Sequence, residues 1–183
     1  MNRRDSLKSL VFGSIGVGVL LEGCVSGVDN ENVANSLKKF NYGRTPKEKE
    51  YDKLLFSKKC FTNNQMTLIS KISNLILPPN EFGSINDAEV PELIEFMAKD
   101  IPSYETPLKE GLVALNQNSN EKFKKVFIDC DESQQKSILD LMAYPDPDLS
   151  SSEQSEEVKW FSLFRNLTMT GYYTSKVGIE ELG

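Results

Sequence analysis

Beyond Thr62 the apolar residues recur every three or four positions, the period of helices that bury one face. Thr62-Asn63-Asn64-Gln65 has capping-box spacing, a threonine oxygen for the amide three residues on and a glutamine that reaches back. Met66, Ile69, Ile72 or Ser73, and Ile76 then form a stripe that Leu68 and Leu75 widen. Pro78-Pro79 ends this helix, because neither residue donates an amide and the first restricts Leu77. A loop of Asn, Gly and Ser runs to Asp87. Pro91 then takes a first-turn position in a second helix with Leu93, Ile94, Met97 and Ile101, which Pro102 stops. A third helix is predicted from Pro107 to about Asn116 through Leu108, Leu112 and Leu115. It breaks at the polar run Asn116 to Asn120 and resumes with Phe123, Val126 and Phe127. Asp131-Glu132-Ser133-Gln134 starts the next, which carries Ile138, Leu139, Leu141 and Met142. Tyr144-Pro145-Asp146-Pro147-Asp148 is not helix, and it opens an acidic serine-rich loop to Ser152. The last long helix starts with Glu153, Glu156 and Glu157, whose charges suit a helix N-terminus, and runs to about Gly171. No alternating run is long enough for a strand. The predicted class is all-α, a compact domain of five to six helices.

The first two dozen residues follow a different pattern. Arg3, Arg4 and Lys8 precede an uncharged stretch from Leu10 to Leu21, too short to span a bilayer and typical of an export signal. It ends in Leu21-Glu22-Gly23-Cys24, which resembles a bacterial lipobox, with Glu22 where a small or apolar residue is usual. Cys24 is the expected lipidation site and new N-terminus, with a signal anchor or an ordinary cleaved signal, Cys24 being incidental, as the alternative. Asn2-Arg3-Arg4-Asp5-Ser6-Leu7-Lys8 also resembles a twin-arginine signal, in which Arg3 and Arg4 direct the export of folded cargo. General export of an unfolded chain stays open as the other route. The expected organisation is a signal over residues 1–23, a lipid-anchored tether over 24–59, and a helical domain over 60–183. The expected location is the periplasmic side of a bacterial envelope membrane.

Charge divides along the same boundary. From Val25 to Lys59 there are eight basic and five acidic residues; from Cys60 onward there are ten basic and twenty acidic. The tether is therefore +3 and the body −10. The tether is either a solvated linker or a segment drawn to an anionic lipid surface, where each basic residue contributes roughly 1 kcal/mol. The acidic pI near 4.9 argues against a nucleic-acid partner.

The chain contains no histidine, which removes Ser-His-Asp and Cys-His nucleophiles, His-ligated zinc and His-ligated haem. Three cysteines are too few for a four-cysteine metal site. No glycine-rich dinucleotide fingerprint follows a predicted strand. The remaining catalytic material is paired acids, Asp129 with Asp131 and Asp146 with Asp148, which read better as caps and turn residues than as an acid–base pair or a calcium site. No catalytic, cofactor-binding or metal-ligating residue is assigned. Cys60 and Cys130 are a candidate disulfide in an oxidising compartment, with two separate thiols as the alternative. Trp160, Phe161, Phe164, Tyr172 and Tyr173 recur at helical spacing and read as core before a flavin or quinone contact, with partner-binding anchors as a further role.

Three blocks in order carry a resemblance. They are Phe61-Thr62 into Leu75-Ile76-Leu77-Pro78-Pro79, then Asp87-Ala88-Glu89-Val90-Pro91-Glu92-Leu93-Ile94-Glu95, then Phe161 to Thr168 with Gly171-Tyr172-Tyr173-Thr174-Ser175-Lys176-Val177-Gly178. Together they resemble the gluconate 2-dehydrogenase subunit 3 family over roughly Cys60 to Gly178, with Lys176 where glutamate is common. The resemblance implies a non-catalytic small subunit and export escort, without a cofactor of its own. Its partner would be an FAD-dependent, GMC-type large subunit that oxidises sugars or sugar acids, and a membrane cytochrome c subunit would carry electrons onward. The rival expectation is a free-standing helical envelope lipoprotein that binds a carbohydrate or another envelope protein.

Overall fold

Five of the described helices begin where a side chain holds a free amide of the first turn, and the other two begin at a proline in the first turn. In the computed structural model, which describes residues 44–183, seven α-helices and one 3₁₀ turn follow in order. They are α1 Pro46–Ser57, α2 Asn63–Ile76, α3 Val90–Asp100, α4 Pro102–Phe123, the 3₁₀ turn Phe127–Asp129, α5 Glu132–Ala143, α6 Glu156–Tyr173 and α7 Lys176–Leu182. Among the described residues there is no strand, only an isolated bridge between Asn80 and Gly83. The export signal, Cys24 and the start of the tether lie outside the described residues.

The capping boxes form as their spacing requires. The Gln65 amide donates to Thr62 Oγ1 at 3.3 Å while Thr62 donates back to Gln65 Oε1 at 2.9 Å. Asp131 and Gln134 repeat the exchange at 2.9 and 3.2 Å to open α5. A third box, unread in the sequence, opens α1: Thr45 donates to Glu48 Oε2 at 2.7 Å, and Pro46 supplies a preset φ at N1. Residues 46–57, assigned to the tether, are therefore helical. The charges of α1 hide its period, because only Asp52 and Leu55 are buried in it.

Several boundaries differ from expectation. Pro102 stops α3, but it also serves as N1 of α4, so one extended residue, Ile101, separates the two helices. Pro107 therefore lies inside α4. The expected break at Asn116 to Asn120 does not occur, since its polar side chains bond to another segment instead of to their own backbone. Asn116 Oδ1 accepts the Phe127 amide at 3.0 Å, and Ser119 Oγ lies 3.1 Å from Cys130 Sγ. The helix ends at Phe123, where Lys124 turns left-handed at φ 58°, and Phe127 is buried in the 3₁₀ turn. Glu153 precedes α6; Ser155 is the cap, its Oγ accepting from Val158. The chain after Thr174, where no helix was expected, is recapped by Ser175 and forms α7.

The long α6 is the axis of the domain and packs on α2, α3, α4, α5 and α7. Its Phe164 is fully buried with Ile69 and Ile72 of α2, Ile94 of α3, Leu115 of α4 and Ile138 of α5. Burying such a side chain is worth about 1.5–3 kcal/mol, so the core rather than the caps holds these helices together. α7 closes against α6 so tightly that a Cβ on Gly178 would overlap the Tyr172 carbonyl. The Tyr172 hydroxyl donates to Glu181 Oε2 at 2.7 Å, and Asn80 Nδ2 donates to the same oxygen at 2.8 Å.

Candidate docking site

Two helix faces with the same spacing meet along α4 and α6. Pro107, Gly111 and Ala114 stand at i, i+4 and i+7 on α4; Glu156, Trp160 and Leu163 repeat that spacing on α6. Between them lies a groove of about 320 Å³. Small residues on the α4 side let the indole approach, and a Cβ on Gly111 would occupy the pyrrole edge of Trp160. The indole is 3% exposed and packs 5.5 Å from the Phe164 ring centroid. Its Nε1–H is buried without a partner. Most buried donors are paired, so this one marks a place where the free domain is not fully satisfied.

The rim is acidic. Glu110, Glu156 and Glu157 line it, and Lys159, the single basic residue, is tied to Glu156 at 2.8 Å. A groove with apolar walls and an acidic rim suits a partner segment that carries aliphatic and basic side chains. A second hollow of about 470 Å³ opens between α2 and the start of α3, past Ser70, Lys71, Asn74, Asn86 and Glu92. Its polar groups partly satisfy one another: Ser70 Oγ donates to Asn86 Oδ1 at 2.8 Å and Asn74 Nδ2 donates to the Ser70 carbonyl at 3.1 Å.

Of the aromatic candidates, Trp160, Phe161, Phe164 and Tyr172 are buried in the core, and Tyr173 is half-buried with its ring edge-on to Tyr172 at 5.1 Å. α6 runs past the expected end at Gly171 to include Tyr172 and Tyr173, and tertiary packing turns most of this aromatic face inward. The residues of the groove that reach solvent are acids and small residues of α4 and α6. The signal that could have found them was the shared i, i+4, i+7 spacing of Pro107-Gly111-Ala114 with Glu156-Trp160-Leu163.

Cys60 and Cys130 are both free thiols, so the candidate disulfide is not made. The separation is set by α4. Cys60 lies beside Glu105 and Lys109, whereas Cys130 touches Ser119, ten or more residues further along the helix. At 1.5 Å per residue the points of α4 that the two thiols adjoin are about 15 Å apart along its axis. Burial pushes the Cys60 thiol above its ordinary pKa. The paired acids are absorbed locally. Asp131 caps α5, and Asp146 Oδ1 accepts the Asp148 amide at 2.9 Å. Among the described residues no group of three or more His, Cys, Asp or Glu is placed to hold a metal ion. Among them, too, no helix is long and apolar enough to cross a membrane.

The described residues form a loop-linked helical bundle around one central helix, with an acid-rimmed apolar groove between α4 and α6. The chain's residues 63–182 match the family model described as gluconate 2-dehydrogenase subunit 3. The protein belongs to that family, and the match runs from the first residue of α2 to the last of α7. No curated protein and no solved structure matches the chain.

Proposed function

We propose that this protein is the non-catalytic small subunit and export escort of a membrane-associated, FAD-dependent dehydrogenase acting on sugars or sugar acids. Family membership over the whole packed body, residues 63–182, carries the reading. On this account FAD and the alcohol oxidation belong to a GMC-type large subunit, and a cytochrome c subunit takes the electrons. This chain contributes a docking surface and an address.

The division of labour follows from what each segment can do. The acidic groove between α4 and α6 receives a basic and aliphatic segment of the large subunit, and Trp160 is the rigid wall that shapes it. The Arg3-Arg4 signal carries the folded pair through the twin-arginine route. Acylation of Cys24 then retains the complex on the periplasmic side of the membrane; more than one acyl chain is needed for lasting attachment. Replacing Arg3 and Arg4 with lysine strands the partner flavoprotein in the cytoplasm, read by fractionation and flavin absorbance. Normal export of the flavoprotein beside the doubly substituted chain refutes the escort role.

A further inference from the structure

The helix found within the tether has two unlike faces. Asp52 and Leu55 are buried, the Arg44 guanidinium reaches Asp52 at 3.4 Å, and Phe56 stacks 5.5 Å from Phe96 of α3. Lys47, Tyr51 and Leu54 stand at i, i+4 and i+7 on another stripe, all exposed, with Tyr51 at 47% and Leu54 at 48%. Lys58, also exposed, follows at the helix end. A tyrosine and a leucine bracketed by lysines match the layers of a lipid interface, where acyl chains, carbonyls and phosphates succeed one another.

Charge selects the kind of surface. From Arg44 to Lys59 there are six basic and three acidic residues. Two of the acids are already engaged: Glu48 in the Thr45 cap and Asp52 with Arg44. The rest of the domain is −10, so an anionic surface attracts this end and repels the remainder. Position does the rest. Twenty-two residues lead from Cys24 to Pro46, which limits α1 to within about 75 Å of an acyl group on that cysteine. Anchoring at that distance raises the local lipid concentration, so a stripe too small to bind vesicles from solution can still dock.

We propose that the Lys47–Tyr51–Leu54 stripe of α1, with Lys58, lies on the anionic phospholipid surface to which the chain is anchored. The domain then stands on α1, while the −10 charge of the remainder is repelled by the same surface. The proposal rests on the anchoring at Cys24 in the function proposed above.

The test uses the full chain purified from membranes and reconstituted in phosphatidylglycerol vesicles with brominated acyl chains. Tyr51→Trp places a reporter on the stripe, while the native Trp160, 3% exposed, supplies an unquenched background. Bromine quenches the added emission. K47Q/K58Q in the same background lowers the docking equilibrium constant about twenty-fivefold, at roughly fivefold per lysine. Tyr144→Trp, at a site 78% exposed beside the acidic loop, is not quenched. Leu54→Trp repeats the reading should the first variant fold poorly, as shown by the Trp160 emission. No quenching at Tyr51→Trp and Leu54→Trp, or equal quenching at Tyr144→Trp, overturns the proposal. Intact mass separates the two layers of the argument: a chain without lipid on Cys24 fails the anchoring, whereas a lipidated but unquenched chain fails the docking of α1.

Discussion

Trp160 offers the sharpest test of how the groove is built, because truncating it and merely deleting its donor should have opposite consequences. The side chain is 3% exposed, lies on Gly111, and contacts Phe164 and Phe161 at centroid distances of 5.5 and 6.4 Å. Trp160→Ala removes that packing and leaves a void between α4 and α6. Large aromatic truncations of this kind cost about 3–5 kcal/mol. Trp160→Phe keeps an aromatic ring in place and loses volume worth roughly 1 kcal/mol. It also removes an Nε1–H that is buried without a partner, a defect that costs about 1–3 kcal/mol. The two terms offset, so Trp160→Phe is neutral or stabilising, and the two variants differ by about 3 kcal/mol or more. Urea unfolding of the full chain, followed by far-ultraviolet circular dichroism because the only tryptophan is altered, gives both values with one slope m. If Trp160→Phe loses as much stability as Trp160→Ala, the indole donor is bonded in the free protein. The description of the groove would then be wrong.

Five further outcomes follow, four from the structure and one, at Cys24, from the sequence. Glu95 Oε1 accepts the amides of Cys60 and Phe61 at 3.0 and 3.5 Å, fastening the entry to α2 onto α3. Glu95→Ala should cost about 1.5–3 kcal/mol and raise hydrogen exchange at those two amides first. Gly178→Ala forces a methyl into the Tyr172 carbonyl, so α7 should lose amide protection and stability fall by about 1–3 kcal/mol, with α2 to α5 still folded. Cys24→Ala should release the protein from membranes; undiminished retention counts against lipidation. In acid, the carboxyls of Asp87, held low by the Ser84 hydroxyl and amide, and of Glu105 and Glu132, held low by Lys109 and Lys136, protonate less readily folded than unfolded. Their contribution is present above the ordinary values of 3.8 and 4.5 and is lost as pH falls through the depressed ones. Tyr172 is the opposite case. Donating to Glu181 raises its pKa, so its contribution holds below about pH 10 and fades above, and Tyr172→Phe should remove that alkaline limb.

Local chemistry made part of this fold readable and tertiary contacts hid the rest. Where a cap and an apolar stripe coincide, at Thr62 and at Asp131, the helix starts where the side chains require. Where polar residues run together, composition misleads. Asn116 and Ser119 look like a break until Phe127 and Cys130 are known to be their partners, eleven residues away. The same limit hid α1, whose charges dilute its period although Thr45-Pro46-Lys47-Glu48 is a full start signal. The aromatic residues were recognisable as one helical face, but burial could not be told from exposure until α2, α3 and α4 were placed around α6. The groove was less legible still. It needs two faces from distant segments in register, and its acids on α4 and α6 resemble any solvated helix surface in the sequence.

The account's central claim is that this chain works by holding a larger flavoprotein rather than by chemistry of its own. Affinity purification of the tagged full-length chain from native membranes, read by absorbance near 450 nm and by mass spectrometry of what accompanies it, tests that most directly. The account predicts a stoichiometric flavin-containing polypeptide that is lost when Glu110, Glu156 and Glu157 are changed to lysine. Recovery of the chain alone, or of a chain that itself carries the flavin, contradicts it.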